Sequence, residues 1–247
     1  MKFPRPEPLV LITALAALAY LLSGVVYARY MADDFSYAAA VAQHGLLADQ
    51  AWWYIHWSGR YSATLATALA ERLGAWDIAP VLVMVAAIWL GALLYLCRSF
   101  TALAPLLLVA TLVGTPSLSQ SWYWQMGLLS YAAPLAVCTL AVCAITGKRP
   151  LAAAVLCVVA AGFSETYVVA QTTALAMALP SIWYYARPFS RSVFAAFGGS
   201  LIGLGLVAGA PGTAIRRAQG PPTLPASAAL LHGAADALNL LSSLTPI

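Results

Sequence analysis

Charge is the scarcest property of this sequence. Asp, Glu, Lys and Arg together make up 8% of it, against about 25% in an ordinary soluble domain. Apolar residues make up 62%, too many for the few charges to coat in water, so the composition points to a bilayer instead. Basic runs are missing, as is any interleaving of bases with aromatics, which argues against nucleic acid as a partner. The four cysteines, Cys97, Cys138, Cys143 and Cys157, form no CxxC pair and lie in or beside apolar runs. They read as small buried hydrophobes and offer neither a metal site nor a disulfide framework. No repeat of solenoid period is visible, and no P-loop, GxGxxG, HExxH or GxSxG pattern stands in a usable context.

What the sequence does have is long apolar runs. The first, Pro8–Tyr27, follows Lys2 and Arg5. It exceeds the roughly 7–15 residues of a secretory-signal core and approaches a full span of about 20. It is read as an uncleaved signal anchor, with Val26-Tyr27-Ala28 only a weak mimic of a cleavage site. Further runs cover about 78–96, 101–117, 126–146 and 192–210. The stretch 151–185 is too long for one ordinary span and just enough for two short ones, with Gly162-Phe163-Ser164-Glu165 at its middle. One helix would bury Glu165 near the bilayer centre, at a cost of several kcal/mol unless paired or hydrated. Two helices turning near Ser164 would place it at the interface.

Charge placement favours two. With the N-terminus cytoplasmic and a turn at each span, the inner side receives Lys2, Arg5, Arg98, Lys148, Arg149, Arg187 and Arg191. The outer side receives Arg29, Arg60, Arg72, Arg216 and Arg217. Every short inner loop then carries a base, as the positive-inside rule expects, and the chain has about seven spans. Acids do not set topology, yet Asp33, Asp34, Asp49, Glu71, Asp77, Glu165 and Asp236 all fall outside, with only Glu7 inside. That grouping marks the outer face as the working one.

The first outer loop, 28–77, opens with the adjacent carboxylates Asp33 and Asp34. Such a pair suits a general base or the oxygen ligation of a divalent cation such as Mg²⁺ or Mn²⁺. It equally suits a helix N-cap ahead of residues 37–43. The aromatic stretch Trp52-Trp53-Tyr54-Ile55-His56-Trp57 fits the headgroup layer and also fits stacking on a sugar ring. Arg60, beside Gly59 and facing outward, can grip a phosphate with two parallel hydrogen bonds. Trp122, Trp124 and Gln125 repeat the aromatic character further on, with Tyr131 and Pro134 after them. Glu165 opens another outer turn, and Arg216-Arg217 stand on the outer face against the positive-inside bias, where a polyanion would account for them. Together these residues fit an anionic lipid-linked substrate and a hydroxylated acceptor.

The order of these elements resembles the GT-C superfamily of membrane glycosyltransferases, and an uncharacterised bacterial GT-C-like family in particular. The resemblance rests on Ala32-Asp33-Asp34-Phe35, Ser58-Gly59-Arg60-Tyr61-Ser62, Trp124-Gln125-Met126-Gly127 with Tyr131 and Pro134, Ser164-Glu165-Thr166, and Pro211-Gly212-Thr213-Ala214-Ile215-Arg216. It covers about residues 28–217, and Thr213 stands where the family pattern has Asn. It implies an all-α polytopic bundle, residues 1–217, with a large first outer loop, followed by a Pro- and Ala-rich tail, 218–247, that starts a further helix. Members are longer, so it also implies that this chain is a piece of a larger protein.

The function it implies is inverting sugar transfer from a polyprenyl-phosphate donor to a hydroxyl of a glycan or lipid, at the outer face of a bacterial inner membrane in the cell envelope. Asp33 or Asp34 would be the base, and Arg60 and Arg216 would steady the leaving phosphate. Tyr61, Trp122, Trp124 and Gln125 would shape the pocket, and Glu165 would position a hydroxyl or support an arginine. The competing readings are a non-enzymatic flippase or transporter of lipid-linked sugars and a membrane assembly subunit.

Overall fold

The computed structural model describes residues 8–72, 79–185 and 189–219, with isolated positions from 227 to 238. Lys2, Arg5, Glu7, Asp77 and Arg187, and most of the tail with its expected helix, lie outside the described residues. Among the described residues all regular structure is helical, as expected, with no strand. In order these helices are α1 (Pro8–Ser23), α2 (Asp34–His44), α3 (Leu46–His56), α4 (Tyr61–Glu71), α5 (Ala79–Leu96) and α6 (Leu103–Val113). They continue with the short α7 (Gln125–Gly127), α8 (Ala133–Thr146), α9 (Pro150–Ala161), α10 (Glu165–Tyr185), α11 (Ser190–Ala208) and α12 (Pro211–Gln219).

Among the described residues four helical stretches, Pro8–Tyr27, Ala79–Leu96, Gln125–Thr146 and Ser190–Ala208, are long and apolar enough to cross a membrane. The chain is a membrane protein by this measure. The expected count was about seven. Helices do stand at the other three places, but α6 and α9 have 11 and 12 residues. At about 1.5 Å per residue neither spans a hydrocarbon core of about 30 Å. The third, α10, is long enough at 21 residues, but Glu165, Gln171, Thr172 and Thr173 make it less apolar than the four. The stretch 151–185 is two helices, not one, turning at Gly162-Phe163-Ser164, and Glu165 is the first residue of the second.

The helix boundaries follow local chemistry. Pro150 and Pro211 each sit in a first turn, where the missing N–H has no partner to lose. Gly147, Gly162 and Gly209 close α8, α9 and α11. The spans are apolar all round, so the faces that meet are chosen by size rather than polarity. Helix α11 lies against α9, with Gly199 at a place where a Cβ would stand 2.3 Å from the Ala154 carbonyl oxygen. Small residues at such crossings let backbones approach closely, which is how helices gain packing in lipid.

The first loop is itself helical. Helices α2, α3 and α4 pack on one another, and α12 folds back onto α3. The chain has two unlike ends. At one, Arg98 lies over Tyr95, Tyr95 nears Gly147, and Lys148 lies over Phe189, just ahead of Arg191. At the other, the loop helices meet the turn between α9 and α10 and the start of α12. Arg98, Lys148, Arg149 and Arg191 stand at the first end, and most described acids stand at the second, together with Arg60 and Arg216.

The join at the second end is tight. A Cβ at Gly59 would lie 2.5 Å from the Val207 carbonyl oxygen and 2.9 Å from its Cα. Gly59→Ala is therefore expected to lower stability by about 1–3 kcal/mol, the usual cost of overpacking. Gly91→Ala, with nothing within 4 Å of the new methyl, should be neutral or gain up to about 1 kcal/mol of helix propensity. Thermal melts of both variants in detergent check the contrast.

Candidate active site

Three stretches of chain come together at the acidic end. Ser58, Gly59 and Arg60 link α3 to α4, Glu165 opens α10, and Thr213 and Arg216 lie on α12. The Gly59 N–H donates to Thr213 Oγ1 at 3.0 Å, and that hydroxyl donates to the Val207 carbonyl at 3.0 Å. Thr213, in the position where Asn was expected, thus pins the loop to the end of α11 with a single hydroxyl.

The centre of the cluster is the Glu165 carboxylate. Arg60 Nε donates to Oε2 at 2.6 Å, Arg216 donates to Oε1 at 3.1 Å, and Ser58 Oγ donates to Oε1 at 3.2 Å. Burial works to raise this carboxyl, but Arg60 and Arg216 outweigh it and hold it below the usual carboxylate range. The two guanidinium groups would repel at this range without an anion between them. Each keeps further N–H donors that Glu165 does not use.

Beside this cluster lies a cavity of about 210 Å³ lined by Asp33, Tyr37, Trp57, Arg60, Trp124, Met126, Ser130, Tyr131 and Arg216. Of the residues expected from the sequence, Asp33, Arg60, Trp124 and Arg216 meet there, although they come from widely separated segments. Asp33 is exposed and Asp34 fully buried. Burial raises the Asp34 carboxyl against hydrogen bonds that lower it, the Met31 N–H at 2.9 Å among them. The pair therefore divides: Asp33 faces the cavity and Asp34 braces the turn into α2. The two guanidinium groups on this cavity offer N–H donors to an anion. Among the described residues no group of three His, Cys, Asp or Glu stands ready for a metal.

Besides Asp34, four expected residues lie elsewhere. Tyr61 donates its hydroxyl to the Val158 carbonyl, beside Gly162 and Gly203. Trp122 is buried in the core, stacked on Trp89 with ring centroids 6.0 Å apart. Gln125 is fully buried and donates to Glu71 Oε1 at 2.6 Å. Glu165 reaches the cavity only through the two arginines it holds. The reason for the Trp122–Gln125 split is backbone geometry. π-helical turns at Ser119–Tyr123 and Leu128–Ala132 flank an extended Trp124, φ −101° and ψ 125°. That break turns Trp124 to the cavity, where its indole N–H donates to the Met31 carbonyl at 3.1 Å, and sends its neighbours into the core. π-turns of this kind recur at functional sites.

Tyr37, Met126 and Ser130 were not foreseen. Tyr37 stacks on Trp53 at 4.3 Å, and burial, then Asp33, pushes its hydroxyl up to about 12, so it stays a neutral donor. Only its place one turn after Asp34 could have signalled it. Glu71, at the end of α4, was grouped with the outer acids, yet it is buried against Gln125. Burial pushes its carboxyl up to about 7, while the Gln125 N–H pulls the other way.

Removing the central anion should matter most. A group held below its unfolded pKa contributes stability that is present above the ordinary carboxylate range and lost as pH falls through the folded value. Glu165→Gln is expected to lose about 1–2 kcal/mol at neutral pH, the lower part of the range for charged hydrogen bonds because the cluster is partly exposed. Its acid limb of stability against pH should be shallower than that of the unaltered protein in thermal melts. No family model, curated protein or solved structure matches the chain.

Proposed function

We propose that this chain carries the catalytic site of a GT-C-type glycosyltransferase, moving a sugar from a polyprenyl-phosphate donor to an acceptor hydroxyl. The observation that carries the reading is the cavity itself, where an exposed carboxylate, two guanidinium groups and four aromatic rings converge. The volume, about 210 Å³, is below the usual ~300–1,000 Å³ of a ligand pocket. It suits one sugar ring or one phosphate group, with the rest of each substrate outside. An apolar groove of about 370 Å³ runs between α4, α5 and α8, lined by residues that include Leu69, Val81, Val85, Leu129 and Phe163. In this reading a prenyl tail lies in the groove and its phosphate in the cavity.

In this reading Asp33 takes the proton of the acceptor hydroxyl as its oxygen attacks the anomeric carbon. The bond from that carbon to the phosphate oxygen breaks, the configuration inverts, and the phosphate leaves with the bonding pair. Arg60 and Arg216 meet the charge that develops on it. Glu165 holds both cations in place before substrate arrives, so that little reorganisation is left for the reaction step. Trp57, Trp124 and Tyr131 supply flat faces for the sugar. The finer architecture is part of the proposal. The seven helices placed as expected would all traverse or enter the membrane, with α6 and α9 as short spans, the N-terminus cytoplasmic and the cavity at the outer face of a bacterial inner membrane. The transporter reading needs charge along a path through the bilayer. Here the charges in and around the four long spans stand at their ends, and Glu165 opens a helix rather than sitting at mid-span.

The test is transfer by purified protein in detergent from a radiolabelled polyprenyl-phosphate sugar, with and without Mg²⁺ or Mn²⁺. Asp33→Asn should lower turnover at least ~100-fold, the scale of a lost general base, with the protein folded. Asp34→Asn should act mainly through stability. Full turnover in a folded Asp33→Asn variant would sink the role given to Asp33.

A further inference from the structure

Glu71 and Gln125 pose an accounting problem that the cavity does not explain. Both side chains are buried, Gln125 completely. They share one contact, from Gln125 Nε2 to Glu71 Oε1 at 2.6 Å. The other oxygen of each, Glu71 Oε2 and Gln125 Oε1, is buried with no partner. Two orphaned acceptors on the two members of one bonded pair are costly, at about 1–3 kcal/mol for each unsatisfied group. A single proton removes both deficits. With Oε2 carrying hydrogen, the acid donates to the Gln125 carbonyl oxygen while accepting from its amide, closing a two-bond ring of the kind acids and amides form in apolar surroundings.

The surroundings suit a neutral group. Among the described residues no opposite charge pairs with Glu71; the ion pairs there are those of Glu165. The elements against this end of α4 present Met126, which accepts from the Thr67 hydroxyl of α4 at 3.1 Å, and apolar residues of the groove. Arg72 is the adjacent charged residue in the chain; Asp77 lies outside the described residues.

We propose that Glu71 is held as a protonated acid that clamps α4 to Gln125, and that this clamp positions the cavity wall. The connectivity carries the consequence along α4, from Glu71 at its last residue back to its start. Arg60 immediately precedes α4, and Trp124 and Met126 flank Gln125. Glu71–Gln125 and Thr67–Met126 are the two side-chain bonds joining α4 to this segment among the described residues. Together they set the separation of Arg60 from Trp124 and Met126 across the cavity. Deprotonation leaves two buried acceptors facing each other and opens the ring. Glu71 is thus a positioning residue. The clamp itself stands apart from the glycosyltransferase reading; its effect on substrate rests on that reading.

Glu71→Gln tests it, because an amide reproduces both bonds of the neutral acid and cannot ionise. Infrared difference spectra of detergent-solubilised protein, taken across neutral pH, should show the carbonyl stretch of a buried carboxylic acid disappearing as pH rises. In Glu71→Gln that band should be absent. Tryptophan fluorescence should change over the same interval in the unaltered protein and stay flat in the variant. Stability should fall as pH rises from the ordinary carboxyl range to about neutral and level off above it, since the unfolded carboxyl ionises first; the variant should lack that slope. Binding of a short-chain polyprenyl phosphate should weaken about tenfold across the interval beyond any change seen in Glu71→Gln. Absence of the acid band in unaltered protein, or a fluorescence transition that survives in the variant, overturns the clamp. A clamp verified by spectra in protein that transfers no sugar would leave the clamp standing and count against the transferase reading alone.

Discussion

The structure at the acidic end depends on one carboxylate. Glu165 binds Arg60 and Arg216, which are 105 and 51 residues away in the chain. Without an anion between them, two guanidinium groups at this spacing would repel and hydrate separately. With it, the loop after α3, the start of α10 and the start of α12 become one unit. Neutral bonds finish the join, through Thr213 to Gly59 and to Val207. The result is a pair of cations held in place with donors to spare, beside an exposed aspartate.

The rest of the fold serves to bring these segments to one end. Apolar helices with no polar face have no orientation set by water, so small residues decide which surfaces meet. Helices α9 and α11 approach closely at Gly199, and their far ends deliver Glu165 and Arg216 to the same place. The loop helices are different. They are short, and they bury polar groups, Asp34, Asp49, Thr67 and Glu71 among them. Such groups are stable only when paired or neutral, which explains why Asp34 and Glu71 have raised pKa values while the exposed Asp33 is left to face the cavity. Adjacent acids of like sequence context thus take opposite roles.

Much of this could be read in advance. Composition and long apolar runs announced a membrane bundle, and charge placement along 151–185 required a turn near Ser164 that the structure has. Asp33, Arg60, Trp124 and Arg216 were named from residue type alone and share one cavity. Tyr61, Trp122 and Gln125 were named on the same grounds and do not. The difference is angular. A run such as Ser121-Trp122-Tyr123-Trp124-Gln125 tells which chemistry is present but not which way each side chain turns, and here a single extended residue between two π-turns sends neighbours to opposite sides. Span count failed to resolve for a related reason, since apolar runs of 11 or 12 residues have the composition of a span without its length.

The sequence by itself determined that this chain lives in a bilayer, that its elements are helices, and which few polar residues are available for chemistry. Those properties follow from composition and local pattern, because burial in lipid and helix formation act on each segment separately. Only the tertiary structure decided that Glu165 would bridge two arginines, that Asp33 and not Asp34 would face the cavity, and that Gln125 would turn to Glu71. Each of those outcomes depends on distances between residues far apart in the chain and on side-chain direction, which close packing and the cost of buried unpaired polar groups settle together.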